Sequence, residues 1–263
     1  MAFSYKTSIT FGLVYIPIKL HAVVKQADIS FNQIDRETGS RVKYQKTCEL
    51  CGGRLVDKHD IIKGYEYQKG KYVHFDNADF EKIKTQKDKT IAIERFVDLA
   101  QIDPVYFDRS FYVAPEKSAG KACSLLTSAM EKEGKVALAK TVLGSKEVLI
   151  AIRARGGKMI LSTMHFYDEI QESPVAAGEP TNENELSLAK TIISGMEGSF
   201  EPEKYKDEYR QRLLDAIEAK IAGKAIEVTD EGVKTKKVTD LMEALKLSLE
   251  QIQKKNPSKK RAN

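Results

Sequence analysis

The run Val136-Ala-Leu-Ala-Lys-Thr-Val-Leu143, Gly-Ser-Lys-Glu, Val148-Leu-Ile-Ala-Ile-Arg-Ala-Arg155, Gly-Gly, Lys158-Met-Ile-Leu-Ser-Thr-Met-His-Phe166 decides the fold. It reads as three extended segments, Val136 to Leu143, Val148 to Arg155 and Lys158 to Phe166. Gly156-Gly157 joins the last two as a short hairpin loop, with glycine free to take positive φ. Working outward, Gln68-Lys69-Gly70 joins Ile61–Tyr67 to Lys71–Phe75 in the same way. Lys6 to Val23 is rich in β-branched and aromatic residues, with Gly12 and Pro17 as interruptions typical of a bulge or an edge. Arg41–Thr47, Thr90–Val97 and Ser110–Val113 are further candidate strands, and Asn77–Lys84 and Ala119–Glu133 suit short helices. Many strands at close spacing with tight turns predict a barrel or sandwich, mainly β with α, rather than a βαβ fold.

After Asp168 the composition changes. Gln171 to Asn182 carries two prolines and a glycine and reads as a linker. Helices are predicted over Asn184–Met196 and Glu203–Ile221, the second with a stripe at Tyr205, Tyr209, Leu213, Ile217 and Ile221. Pro202 suits its first turn and Gly223 the position past its end. The polar stretch Lys224–Lys237 leads to a third helix with Val238, Leu241, Leu245, Leu249 and Ile252 on one side. The last residues form a basic, disordered tail.

The chain has 263 residues with 43 basic against 38 acidic side chains. Six basic residues and one acidic residue fall between Lys246 and Asn263, so positions 1–245 carry 37 of each. The excess charge sits in the tail, and bulk charge alone does not point the body toward nucleic acid. No apolar run approaches the roughly 20 residues that span a bilayer, and Lys6 and Lys19 break any signal-peptide core. A cytoplasmic protein without a membrane partner is expected. Three cysteines make no disulfide framework.

Few motifs carry chemistry. Gly64-Tyr-Glu-Tyr-Gln-Lys-Gly70-Lys71 fails as a phosphate loop, because five residues separate its glycines where four are required and Tyr72 stands where Ser or Thr must reach magnesium. His21, His59, His74 and His165 are scattered, and nothing in their spacing favours a catalytic triad. Cys48-Glu-Leu-Cys51-Gly52-Gly53 is half of a zinc ribbon. Three completions compete: the same pair from a second copy across a two-fold axis, His59 or His74 within one chain, or no metal and a reduced or redox-active pair. Gly52-Gly53 is a poor helix start, which weakens the redox reading. The cluster Tyr106, Phe107, Phe111 and Tyr112 could stack on bases, but filling a core corner is the commoner use of such residues. Arg109 beside Asp108 reads as a structural ion pair.

Four segments together resemble the bacterial Ku family, the homodimeric DNA-end-binding proteins of non-homologous end joining. They are Ser8-Ile-Thr-Phe-Gly-Leu-Val-Tyr-Ile-Pro-Ile-Lys-Leu20, Gly64-Tyr-Glu-Tyr67, Ile102-Asp-Pro-Val-Tyr-Phe-Asp-Arg-Ser-Phe-Tyr112 and Phe200-Glu-Pro-Glu-Lys-Tyr-Lys-Asp-Glu-Tyr-Arg210. They occur in family order, and the Cys48/Cys51 pair is also seen in many members. Many relatives carry a longer lysine-rich tail than follows Lys255 here.

The resemblance implies a β-barrel core over 1–170 with an inserted arch at about 36–63, a linker and helical arm over 171–198, a helical region over 199–255 and a basic tail over 256–263. Two chains would form a ring that threads onto double-stranded DNA ends, and the helical region would recruit an ATP-dependent DNA ligase, ligase D. Such a protein is not an enzyme. It must accept any end, so it grips phosphates and duplex shape rather than base edges. Arg36, Arg41, Lys43, Lys46 and Arg54 are expected to line the ring, Arg41 and Lys43 on one face of a strand. Lys254, Lys255, Lys259, Lys260 and Arg261 would add contacts from the tail. Tyr205, Tyr209, Arg210 and Leu213 would serve the partner; no cofactor is required, and a structural zinc shared between subunits at Cys48 and Cys51 stays one of the three completions of that pair. The competing functions are a lyase acting at broken ends through a lysine Schiff base, and a zinc-organised adaptor with no DNA role.

Overall fold

The computed structural model describes residues 4–25, 27–83, 90–143, 146–175, 178, 181–226 and 241–255. The chain divides into two compact units, Met1–Glu172 and Ser173–Asn263. In the first unit β1 (Ser4–Phe11) and β2 (Val14–Ala22) are followed by four strands that lie apart: β3 (Thr47–Cys48), β4 (Arg54–Leu55), β5 (Lys63–Gln68) and β6 (Lys71–Phe75). Then come α1 (Asn77–Ile83), β7 (Ile91–Asp98), β8 (Phe107–Pro115), α2 (Gly120–Glu133), β9 (Lys135–Leu143), β10 (Lys146–Arg155) and β11 (Lys158–Met164).

Seven strands close a barrel in the order β1-β2-β8-β11-β10-β9-β7. Every neighbouring pair is antiparallel except the seam, where β1 and β7 run parallel through Ile9↔Ile91 and Thr10↔Ala92. Period-2 alternation explains why these runs become barrel strands. Along β2, Ile16, Ile18 and Leu20 are buried while Tyr15, Pro17 and Lys19 point the other way and are less buried. Ile9, Ile91, Ala139, Ile150, Ile152 and Leu161 join them in one cluster, and Cys123, Leu126 and Met130 of α2 complete it. Each such Ile or Leu contributes about 1.5–3 kcal/mol relative to exposure. On the opposite face of β9, β10 and β11, Val136, Ala151 and Met164 form a second cluster covered by Ile102, Tyr106 and Phe107. The aromatic stretch therefore fills cores on both faces, with Phe111 packed against the main cluster.

Three sequence readings are corrected. Lys6–Val23 is a hairpin rather than one bulged strand: Phe11 pairs with Val14 across Gly12-Leu13, and Gly12 has φ +56°. β-branched content marks extended backbone but is blind to reversal, and only the glycine marks it. The strand expected over Arg41–Thr47 does not form apart from Thr47 itself, which pairs in β3. Its start makes one isolated bridge, Ile34↔Arg41, around a turn in which Asp35 accepts from the Thr38 N–H and hydroxyl, both at 2.8 Å. An extended run becomes a strand only where a ladder partner exists, so Arg41 and Lys43 share no sheet face. The helix expected from Glu203 starts five residues later. Pro202–Lys204 is a single 3-10 turn, and Asp207 caps α4 (Glu208–Ile221) by accepting from the Arg210 N–H at 2.8 Å. A capping aspartate offers the backbone a start signal that the apolar stripe does not show.

In the second unit α3 (Glu183–Met196), capped by Asn182, packs against α5 (Leu241–Lys255). Val238 lies outside the described residues.

Candidate nucleic-acid interface

The chain leaves the barrel at Ala22 and re-enters it at Ile91, a longer excursion than the 36–63 stretch in which the resemblance places an arch. None of its described residues is buried. It is held by local devices: the β5–β6 hairpin turning at Lys69-Gly70, the β3–β4 pair, the Asp35 turn, and a 3-10 turn over Lys58–Asp60 whose Asp57 cap accepts from the His59 N–H. Large apolar side chains stand in solvent throughout, among them Phe31, Tyr44 at 81%, Leu50 at 100%, Tyr65 and Tyr72. The sequence reading did not flag these residues.

Arg36, Arg41, Lys43, Lys46 and Arg54 all fall within this excursion and all are exposed. None of the five forms an ion pair within 4 Å among the described residues. Between Asp28 and Phe75 nine basic residues face seven acidic ones, so any field here is local rather than a blanket of charge. Lys254 and Lys255 end α5, while Lys259, Lys260 and Arg261 lie outside the described residues.

Cys48 ends β3, and Cys51 ends the 3-10 turn Glu49–Cys51. Gly52 and Gly53 follow with φ +65° and +79°, a conformation that only glycine adopts freely. Their amides donate back to the Glu49 and Cys48 carbonyls at 3.1 and 3.0 Å. The two sulfurs lie 3.1 Å apart with both thiols free. The Cys51 thiol, then the Cys51 and Leu50 amides, interact with the Cys48 sulfur and hold its pKa below the ordinary thiol value. The same shared hydrogen bond pushes Cys51 up, so the pair holds one proton more tightly than the other. Among the described residues no group of three or more His, Cys, Asp or Glu side chains is placed to hold a metal.

In the second unit Tyr205 is not on a helix. Its ring packs against Phe200 at 5.6 Å between the 3-10 turn and α4. Tyr209 is exposed and Leu213 half-buried on α4, and the Arg210 amide serves the Asp207 cap. The expected stripe therefore begins at Tyr209 and buries little: Tyr209 and Ile221 both remain exposed.

On the barrel, a cavity of about 430 Å³ is floored by Leu20, Phe111, Leu161 and Thr163 and rimmed by charge. Asp108 and Arg109 form the pair read from the sequence, Nε to Oδ1 at 3.9 Å. Lys146 pairs with Glu169, and with the Phe166 amide it lowers the Glu169 pKa. No helix among the described residues is long and apolar enough to cross a membrane.

A closed seven-stranded barrel interrupted by a long excursion, none of whose described residues is buried, defines a β-barrel protein with a large insert between β2 and β7. The Ku70/Ku80 beta-barrel domain family matches residues 10–188. A non-homologous end joining protein Ku of Lachnoclostridium phytofermentans is 46% identical over 95% of this chain and 97% of its own length. Those of Archaeoglobus fulgidus (39% identical, 96% of this chain, 100% of the relative) and Bacillus subtilis (37%, 96% and 83%) are similar over nearly the same span. The chain belongs to the Ku family.

Proposed function

We propose that this protein binds double-stranded DNA ends without sequence preference, as a ring of two copies, and brings an ATP-dependent ligase to them. Family membership supports the end-joining role. The observation that carries the two-copy reading is the excursion, which exposes Phe31, Tyr44, Leu50, Tyr65 and Tyr72 and buries no described residue. Covering each such side chain is worth about 1.5–3 kcal/mol. Monomeric soluble proteins rarely leave so many exposed together. A second copy laying its own excursion alongside covers both sets at once, because a two-fold contact uses the same patch twice.

In this reading the exposed Arg36, Arg41, Lys43, Lys46 and Arg54, none of them in an ion pair with a described carboxylate, face phosphate. Contacts of that kind are common to every broken end, so they hold DNA without reading it. Encirclement supplies the selectivity that weak charge contacts lack: a closed ring loads at a terminus and leaves only by one. The protein thus acts as a scaffold, with chemistry left to the ligase. Tyr209 and Leu213 on α4, with the Phe200–Tyr205 pair beside them, offer that partner an amphipathic helix and an aromatic platform.

The test compares blunt linear duplex with the same sequence as a covalently closed circle, with particle mass measured by sedimentation. The reading expects a dimer, strong binding to the linear form and weak binding to the circle. Equal binding to both, or a monomer at micromolar concentration, overturns it.

A further inference from the structure

The barrel is plugged at one end and open at the other. α2 connects β8 to β9 at the end where β10 turns into β11, and its Cys123, Leu126 and Met130 share one cluster with Ala137 and Met159 there. The Glu131 carboxylate accepts from the Gly156 and Gly157 amides at 2.6 and 3.2 Å and pins the helix to that turn. At the opposite end β1, β8 and β10 begin while β2, β9 and β11 finish. The cavity of about 430 Å³ lies among those strand ends, and no α-helix among the described residues lines it. It is the unplugged mouth of the barrel, a usual place for a ligand.

Its floor offers carbon. Leu20 and Leu161 are buried, and Phe111 and Val148 are half-buried. The Thr163 hydroxyl is already engaged, accepting from the Arg109 amide at 3.0 Å and donating to Asp108 Oδ2 at 3.2 Å. The rim is where charge decides. Three carboxylates, Asp108, Glu147 and Glu169, stand against two permanent cations, Arg109 and Lys146. Arg109 pairs with Asp108, and Lys146 with Glu169, which His165 also approaches at 3.7 Å. Glu147 is exposed and has no cation within 4 Å among the described residues. The unmatched charge is therefore negative, which attracts a cation and disfavours phosphate. Arg109 and Lys146 keep 80% and 68% of their side chains in solvent, so the rim stays open enough for a chain to cross it.

We propose that the open mouth of the barrel is a docking site for a protein partner. The partner inserts one bulky apolar side chain onto Leu20, Phe111 and Leu161 and sets a flanking lysine or arginine against Glu147. Apolar burial supplies the affinity, and the unmatched carboxylate selects the flank. No described residue of the excursion lines the cavity, so this inference stands independently of the two-copy reading.

The test is fluorescence anisotropy on the full-length protein with three capped, labelled peptides: a leucine between two lysines, a leucine between two glutamates, and an alanine between two lysines. The first should saturate below about 1 mM, and the other two should bind about tenfold more weakly or worse. E147K should weaken the leucine–lysine peptide about threefold or more and strengthen the glutamate peptide, with binding to linear duplex unchanged. V148F, which fills the floor, should weaken the leucine–lysine peptide about tenfold. Should V148F fail to fold, E147K on the exposed rim still decides. No saturable binding, equal affinity for the lysine and glutamate peptides, or an E147K protein that binds like the unaltered one overturns the proposal. Displacement of the peptide by blunt duplex would assign the mouth to nucleic acid, and binding confined to the monomer would assign it to a second copy; either overturns it as well.

Discussion

Salt dependence gives the sharpest handle on the excursion's charges. Five exposed cations per copy, Arg36, Arg41, Lys43, Lys46 and Arg54, make ten in a pair of chains. If all ten meet phosphate, log K should fall against log salt with a slope of about −9, so affinity drops about 10⁵-fold between 50 and 200 mM salt. R41A/K43A removes four contacts per pair. The slope should become shallower by about 3.6, and the loss over the same range should shrink to about 10³-fold. These two residues suit the test because their side chains are exposed and hold no described carboxylate, so their removal leaves the local fold intact. The assay is fluorescence anisotropy of a short blunt duplex titrated across a salt series, with K204A as control, since Lys204 lies in the second unit and pairs with Glu201 at 2.8 Å. A slope for R41A/K43A that matches the control would refute the placement of these cations against DNA.

Other outcomes follow from the barrel. Ile18 is fully buried in the main cluster, so I18A should cost about 2–5 kcal/mol in denaturant unfolding of the barrel unit, while L13A at the exposed β1–β2 turn should cost almost nothing. Glu169 has its pKa lowered by Lys146, so its contribution to stability is present above the ordinary carboxylate pKa and is lost as pH falls through the folded value. Melting temperatures of the unaltered protein and E169Q should therefore differ at neutral pH and converge in acid; a gap that widens in acid would refute the sign. Cys123 is buried in α2 and its thiol pKa is raised by that burial. After chelation, two of the three thiols should react rapidly with an aromatic disulfide reagent and one slowly; three equal rates would contradict the packing of α2.

Most of the barrel was legible because its strands obey a local rule. Val136–Leu143, Val148–Arg155 and Lys158–Phe166 are short apolar runs of strand length, and Gly156-Gly157 marks the reversal between the last two. The errors occur where local signals stop deciding. Arg41–Lys46 has the composition of a strand but no partner, and partners are set by the rest of the chain. Tyr205 fits a helical stripe, yet the Asp207 cap starts the helix only at Glu208. The cysteine knuckle was legible from spacing alone, whereas the exposure of Tyr44, Leu50 and Tyr65 was not, since a sequence does not show which apolar residues go uncovered. The parallel seam was equally invisible, because it joins residues 82 positions apart, Ile9 and Ile91.

That seam has a consequence for biogenesis. On the ribosome β1, β2 and the whole excursion emerge before the strands that close the barrel, and the sheet is incomplete until β11 is out at Met164. At about 5–20 residues per second, the stretch ending at Phe75 waits about 5–20 s in the open before its own barrel exists. In the two-copy reading its exposed apolar side chains then wait further, for a second copy. Neighbouring ribosomes on one message would shorten that second delay, and holdase chaperones would guard the first.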